Sequence, residues 1–233
     1  MKRQRSTRAE LCACLLPVLA GLSLAGCDGP LVPPNTTADI YDFRLPTAPP
    51  SVIRWPSGSR VRVHVVGAAG EREDFLSAGL ASGAAEWNRH ALYGEYEVVR
   101  ASSLGTADVI LRWSDELSPV DMTECAPQLA SAVTTFCLSA DDPSRLHAFP
   151  LVMDPQSPSS VRFVITLLGT QAGSSDAVSR LVLHELGHVL GIGRHSPDAG
   201  DLMAAGVPTR HSLSSADVAT IQILYHTRPD ITP

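Results

Sequence analysis

Between residues 183 and 196 the chain reads Leu-His-Glu-Leu-Gly-His-Val-Leu-Gly-Ile-Gly-Arg-His-Ser, an H-E-x-x-H pattern followed by a glycine and a third histidine. On a helix, His184 and His188 stand one turn apart, about 40° from each other around the axis. Their imidazoles then meet a single ion from the same side. Glu185 lies roughly 100° from His184 and within i,i+3 reach of His188. It flanks the metal position without ligating, where a carboxylate takes a proton from a water that the metal polarises. The chemistry implied is zinc-assisted hydrolysis with Glu185 as general base.

A catalytic zinc takes three protein ligands and leaves one position for water. Gly191 ends the helix, and a sharp turn there would bring the chain back across the metal. Arg194, His195, Asp198 and Asp201 are the residues within reach. Arginine stays protonated and offers no lone pair, which excludes Arg194. His195 is the best placed, with Asp198 and Asp201 as the alternatives. It comes one residue later than H-E-x-x-H-x-x-G-x-x-H spacing requires, and Gly193 makes an extra residue in the turn sterically easy.

The elements that must position this site are legible at low detail. Residues 60–66 alternate and are β-branched, which predicts a strand. Residues 71 to about 90 predict a helix with Phe75, Leu80, Ala84 and Trp87 on its buried side, weakened slightly by Gly79 and Gly83. Residues 96–100 and 107–113 predict two further strands. Strand, helix, strand, strand implies a sheet with a crossover helix packed on it. Prolines break up residues 114–145, where loop is expected with a short strand near 133–137. Residues 146–150 and 161–165 are the remaining strand candidates. The zinc helix starts at Asp176, with Ser174 or Ser175 as its cap. Trp55, Trp87 and Trp113 are expected in the core. His64, His90, His211 and His226 read as surface or satisfied core residues.

Here the chain resembles the metzincin metallopeptidases, most closely the matrixins. From His195 through Ser-Pro-Asp-Ala-Gly-Asp-Leu to Met203, the segment is similar to the matrixin stretch from third histidine to Met-turn, at the family's own distance. The extra residue is thereby confined between Gly191 and His195. Residues 213–225, opening on a serine cap, are similar to the family's last helix, and residues 107–111 to its third strand. The resemblance implies an α+β fold. It would have a twisted mixed sheet of about five strands, a crossover helix, a central zinc-binding helix, and a small C-terminal subdomain with Met-turn and final helix. It implies one catalytic Zn2+ on His184, His188 and His195, with Met203 packed beneath it. Protein or peptide substrates would add as a strand to the sheet edge. Ala204-Ala205-Gly206 replaces the tyrosine and proline that matrixins carry after the methionine, so the adjoining pocket should differ. A second zinc is not expected. Calcium loops are not recognisable, although Asp141 and Asp142 leave room for a weak site.

Length and composition agree with an exported globular domain. The chain has 233 residues, 44% hydrophobic and 18% charged, with formal net charge −6. Residues 1–26 hold Lys2, Arg3, Arg5, Arg8 and Glu10, a net +3, so the remainder carries −9. That acidic balance argues against nucleic acid as a partner. A basic start and an apolar run over 11–26 read as an export signal. The run ends in Leu24-Ala25-Gly26-Cys27, which resembles a bacterial lipobox and implies cleavage before Cys27 and lipid on its thiol. The expected location is the bacterial cell envelope, lipid-anchored, with a monomer the expected state. The expected organisation is a signal over 1–26, a lipidated cysteine and proline-rich tether over 27–50, and a metallopeptidase domain over 51–233. Cys125 and Cys137 are then left as a pair, and a disulfide between them would stabilise by about 3 kcal/mol. Two buried thiols are the alternative. In the alternative function, a non-catalytic zinc-binding envelope lipoprotein serves as a binding or structural module.

Overall fold

The computed structural model describes residues 39–67, 70–115, 132–136, 144–146, 161–169 and 173–233. Five strands form one sheet: β1 (Ser59–Val66), β2 (Tyr96–Arg100), β3 (Val109–Ser114), β4 (Ala132–Thr135) and β5 (Phe163–Leu168), in the order β2-β1-β3-β5-β4. The first four strands in that order pair in parallel, and β4 runs antiparallel to β5. Among the described residues β4 is therefore an edge strand. Among the described residues there are three α-helices: α1 (Glu71–Arg89), α2 (Ser175–Val189) and α3 (Ser215–His226). The mixed sheet with a crossover helix is the α+β architecture expected. Boundaries moved by a residue or two: β3 begins at Val109 and not at 107, and β5 at Phe163 and not at 161. Of the strand candidate at 146–150, Leu146 is described. Its neighbour Arg145 makes a single bridge with Thr232, and 147–150 lie outside the described residues.

Burial explains the packing. Val61, Val63, Val109, Leu111, Phe163, Ile165 and Leu167 send the sheet's inner face into one core with Leu76, Leu80 and Trp87 of α1. Val178, Leu181, Val182, Leu186 and Val189 of α2 join the same core, so the helix that carries His184 and His188 is buried by its own apolar faces. Phe75 is only partly buried. Gly79 and Gly83, which weaken α1 by propensity, are where the two helices touch. A Cβ on Gly83 would lie 2.9 Å from Leu186 Cδ1, and one on Gly79 3.2 Å from Val182 Cγ2. Two small residues one turn apart let α1 and α2 approach closely. Trp87 locks the seam by donating its indole N–H to Leu183 O at 2.8 Å. Trp55 and Trp87 are buried as expected, whereas Trp113 is half-buried with the Arg72 guanidinium 5.1 Å from its ring.

The segment ahead of residue 51 differs from a free tether. From Tyr41 onward it is packed on the domain, with Tyr41 and Leu45 both buried. Leu45 bridges Ser51, and Ile53 pairs with Ile231 near the C-terminus. The folded unit thus begins about ten residues earlier than 51, because apolar residues at 41, 43 and 45 find a surface that composition alone does not reveal. Cys27, Cys125, Cys137, Asp141 and Asp142 lie outside the described residues.

Candidate metal centre

Helix α2 begins at a Ser174 cap whose hydroxyl accepts from Ala177 N, and it ends at Leu190, with Gly191 at φ 116°. A left-handed residue at that point reverses the chain, and a Cβ there would lie 2.2 Å from Ile53 O, so only glycine fits. The reversal brings His195 back over the helix. His184, His188 and His195 then group so that one ring nitrogen from each lies within 4.8 Å of the others. The ring centroids are 4.9 Å (184–188), 5.3 Å (184–195) and 5.1 Å (188–195) apart.

Whether these residues fit a zinc ion is decided by the state of the rings. His184 faces Leu202 O through Nδ1 at 2.8 Å, and His188 faces Ile192 O through Nδ1 at 2.6 Å. A carbonyl only accepts, so in each ring Nδ1 carries the proton and Nε2 keeps its lone pair. The two Nε2 atoms are 3.2 Å apart, as two ligands of one tetrahedral ion would be. Burial pushes the His184 imidazole down to about 4, with His195 adding to the effect. Desolvation, then His188, brings His195 to about 4 as well, although its ring lies on the open side of the site. Burial followed by His184 also lowers His188. All three are neutral bases at pH 7. Two lone pairs converging without a proton between them is what a cation would stabilise, and the donor set fits zinc.

Glu185 lies beside this group and is almost fully buried. Its Oε2 accepts from the Thr134 hydroxyl at 2.6 Å. Burial raises the carboxyl above the ordinary range, opposed by His188 and by the Thr134 hydrogen bond. A buried carboxylate of raised basicity at the edge of the site is suited to accept a proton and pass it on. Asp198 and Asp201, the alternative third ligands, are used elsewhere. Asp198 Oδ1 accepts from Gly200 N at 2.8 Å, and Asp201 Oδ2 accepts from the Ser196 hydroxyl. Arg194 points away, its Nε donating to Arg44 O at 3.1 Å.

Beneath the histidines, Met203 is fully buried and its carbonyl accepts from Ser196 N at 2.8 Å, closing the loop from the third histidine to the methionine. Asp217 holds this loop onto α3. Its Oδ2 accepts from Leu202 N (2.9 Å) and Ser214 N (2.8 Å), and its Oδ1 from Met203 N (3.2 Å) and the Tyr41 hydroxyl (2.9 Å). Sequence reasoning saw the serine cap of α3 but missed this carboxylate. The signal was present as a capping box, Ser214 with Asp217 three residues on. Thr134 carried no sequence signal, since nothing local ties a threonine on one strand to a glutamate 51 residues later.

A helix presenting two histidines, a glycine reversal, a third histidine and a buried methionine loop under a mixed sheet is the arrangement that the resemblance to the matrixins implies. The family model described as Matrixin matches residues 138–226, the stretch that holds the three histidines, Met203 and α3. No curated protein matches the chain. Two solved structures, titled "Crystal structure of myroilysin" and "Structure of myroilysin", are similar to it at 15% identity and a TM-score of 0.43. They cover 74% of this chain and 85% and 95% of theirs, respectively.

Proposed function

We propose that the protein is a zinc-dependent endopeptidase, carried on a lipid anchor at Cys27, that hydrolyses peptide bonds of protein substrates at the bacterial cell envelope. The observation that carries the reading is the convergence of three neutral imidazoles beside a buried, unligated Glu185. His184, His188 and His195 would hold the ion, which when bound supplies Lewis acidity toward a water and the scissile carbonyl. Glu185 takes the proton of the attacking water, keeps it out of bulk solvent, and delivers it to the leaving amine nitrogen. Thr134 donates to Glu185 Oε2, which holds the carboxylate by one oxygen so that Oε1 would take the proton. β4, paired only with β5 among the described residues, would accept an extended peptide along its outer edge beside Thr134.

An arginine where the usual spacing puts the third ligand would favour the non-catalytic alternative if it distorted the site, but Arg194 bonds to the backbone at Arg44 while His195 stays with the other two histidines. Metal content and cleavage of a broad peptide library test the proposal together. One equivalent of zinc is expected, with cleavage abolished and zinc retained in Glu185→Ala. Zinc binding without cleavage across the whole library would overturn the enzymatic reading.

A further inference from the structure

His184 and His188 are each fixed by a carbonyl on Nδ1. Among the described residues, the His195 ring has no hydrogen bond of that kind. Its position depends on the backbone that carries it, which includes the one residue beyond the usual spacing. That backbone is held from outside the site. Gly193 N donates to Phe43 O at 2.7 Å, and Arg194 Nε donates to Arg44 O at 3.1 Å and lies 3.7 Å from Asp42 Oδ2. The contact is backbone against backbone: a Cβ on Gly193 would lie 2.9 Å from Leu45 N and 3.0 Å from Phe43 O. The holding segment is itself anchored, since Leu45 is buried and exchanges backbone hydrogen bonds with Ser51 (2.8 and 3.3 Å).

We propose that residues 42–45 are a positioning strap for the third zinc ligand, grasping the extra residue at Gly193-Arg194 so that His195 is held over the metal position. The proposal rests on the zinc reading of the three histidines and adds that metal retention depends on docking of the segment ahead of the first strand. A ligand ring oriented by its own hydrogen bond tolerates a loose backbone. His195 lacks one, so the strap does for it what Leu202 O and Ile192 O do for the other two rings. Arg194 is then a positioning residue that acts through the turn and touches neither metal nor substrate.

The test uses the full chain, with Zn2+ affinity measured by chelator competition and Co2+ absorption reporting coordination geometry. Gly193→Ala inserts a methyl between turn and strap. It is expected to weaken zinc about 10-fold and to change the Co2+ spectrum. The double variant Asp42→Ala/Arg194→Ala leaves the backbone contact in place and should weaken zinc by about 2- to 5-fold, with a smaller but measurable spectral change. Parent affinity and an unaltered spectrum in both variants would overturn the strap while leaving the zinc site standing. If Gly193→Ala does not fold, parent affinity and spectrum in the double variant alone overturn it. A parent chain that binds no zinc would instead sink the proposed function.

Discussion

Replacing Asp217 with asparagine tests whether the floor of the site is held by one carboxylate. Asp217 is completely buried and accepts four hydrogen bonds, three from backbone N–H groups and one from Tyr41. An asparagine keeps the shape but offers one oxygen. In its best orientation that oxygen replaces Oδ2 and retains Leu202 N and Ser214 N. The amide nitrogen then faces the Tyr41 hydroxyl, which can turn to accept, and Met203 N, which cannot. One buried N–H is left without an acceptor, at about 1–3 kcal/mol, and the retained bonds lose their charge assistance. The expected sum is about 2–4 kcal/mol, a large part of the 5–15 kcal/mol typical of a domain. In urea unfolding of the metal-free protein, the midpoint should drop by about 1–2 M. Tyr41→Phe removes one donor of the four and should cost about 1 kcal/mol. Because Leu202 lies between Asp217 and His184, the asparagine variant should also hold zinc about 10-fold less tightly. An Asp217→Asn protein that unfolds at the parent midpoint and retains parent zinc affinity would refute this account.

Three further outcomes are expected. His195→Ala should release zinc, measured by metal content after dialysis, whereas Arg194→Ala should retain it; equal retention in both would return Asp198 or Asp201 to consideration. Thr134→Val, which removes the donor to Glu185 and keeps the shape, should lower kcat by about 10-fold with KM and zinc content near the parent, and Thr134→Ser should restore most of it. A fall in KM-dependent binding alone would argue against the positioning of Glu185. The third concerns pH. His184 lies at about 4 in the fold against an ordinary 6.5, and above 6.5 it is neutral folded or unfolded. Between 6.5 and 4 the unfolded chain takes up a proton that the folded chain refuses, so metal-free stability declines as pH falls through that window and levels off below it. The contribution is at most about 3 kcal/mol. Urea midpoints of chelator-treated protein from pH 7.5 to 4 would show it, and a flat profile would contradict the burial of the ring.

Much of the site was legible because its parts are local. The four-residue spacing of His184 and His188 needs only helical geometry, and Gly191 announces its own reversal. The distance from His195 to Met203 pointed to His195 as the third candidate ligand across the extra residue, and the three histidines lie together in the fold. The strands β1, β2 and β3 and the helices α1 and α3 also follow from periodicities that span a handful of residues. Glycines in α1 were read as a weakness because propensity is a property of the isolated helix. Their purpose appears only when α2 lies against them.

By itself, then, the chain's sequence determined the candidate chemistry: which histidines come together as a possible metal site, which carboxylate stands beside them, and roughly which elements carry them. Tertiary structure decided what supports that chemistry. It brought Thr134 to Glu185 across 51 positions, Tyr41 to Asp217 across 176, and Arg44 to Arg194 across 150. Such contacts leave no periodic trace, because they depend on how separate elements pack and not on the conformation of any one. The same reason explains why residues 41–45 read as tether from the prolines on either side of them, yet are folded into the domain once a surface exists to cover them.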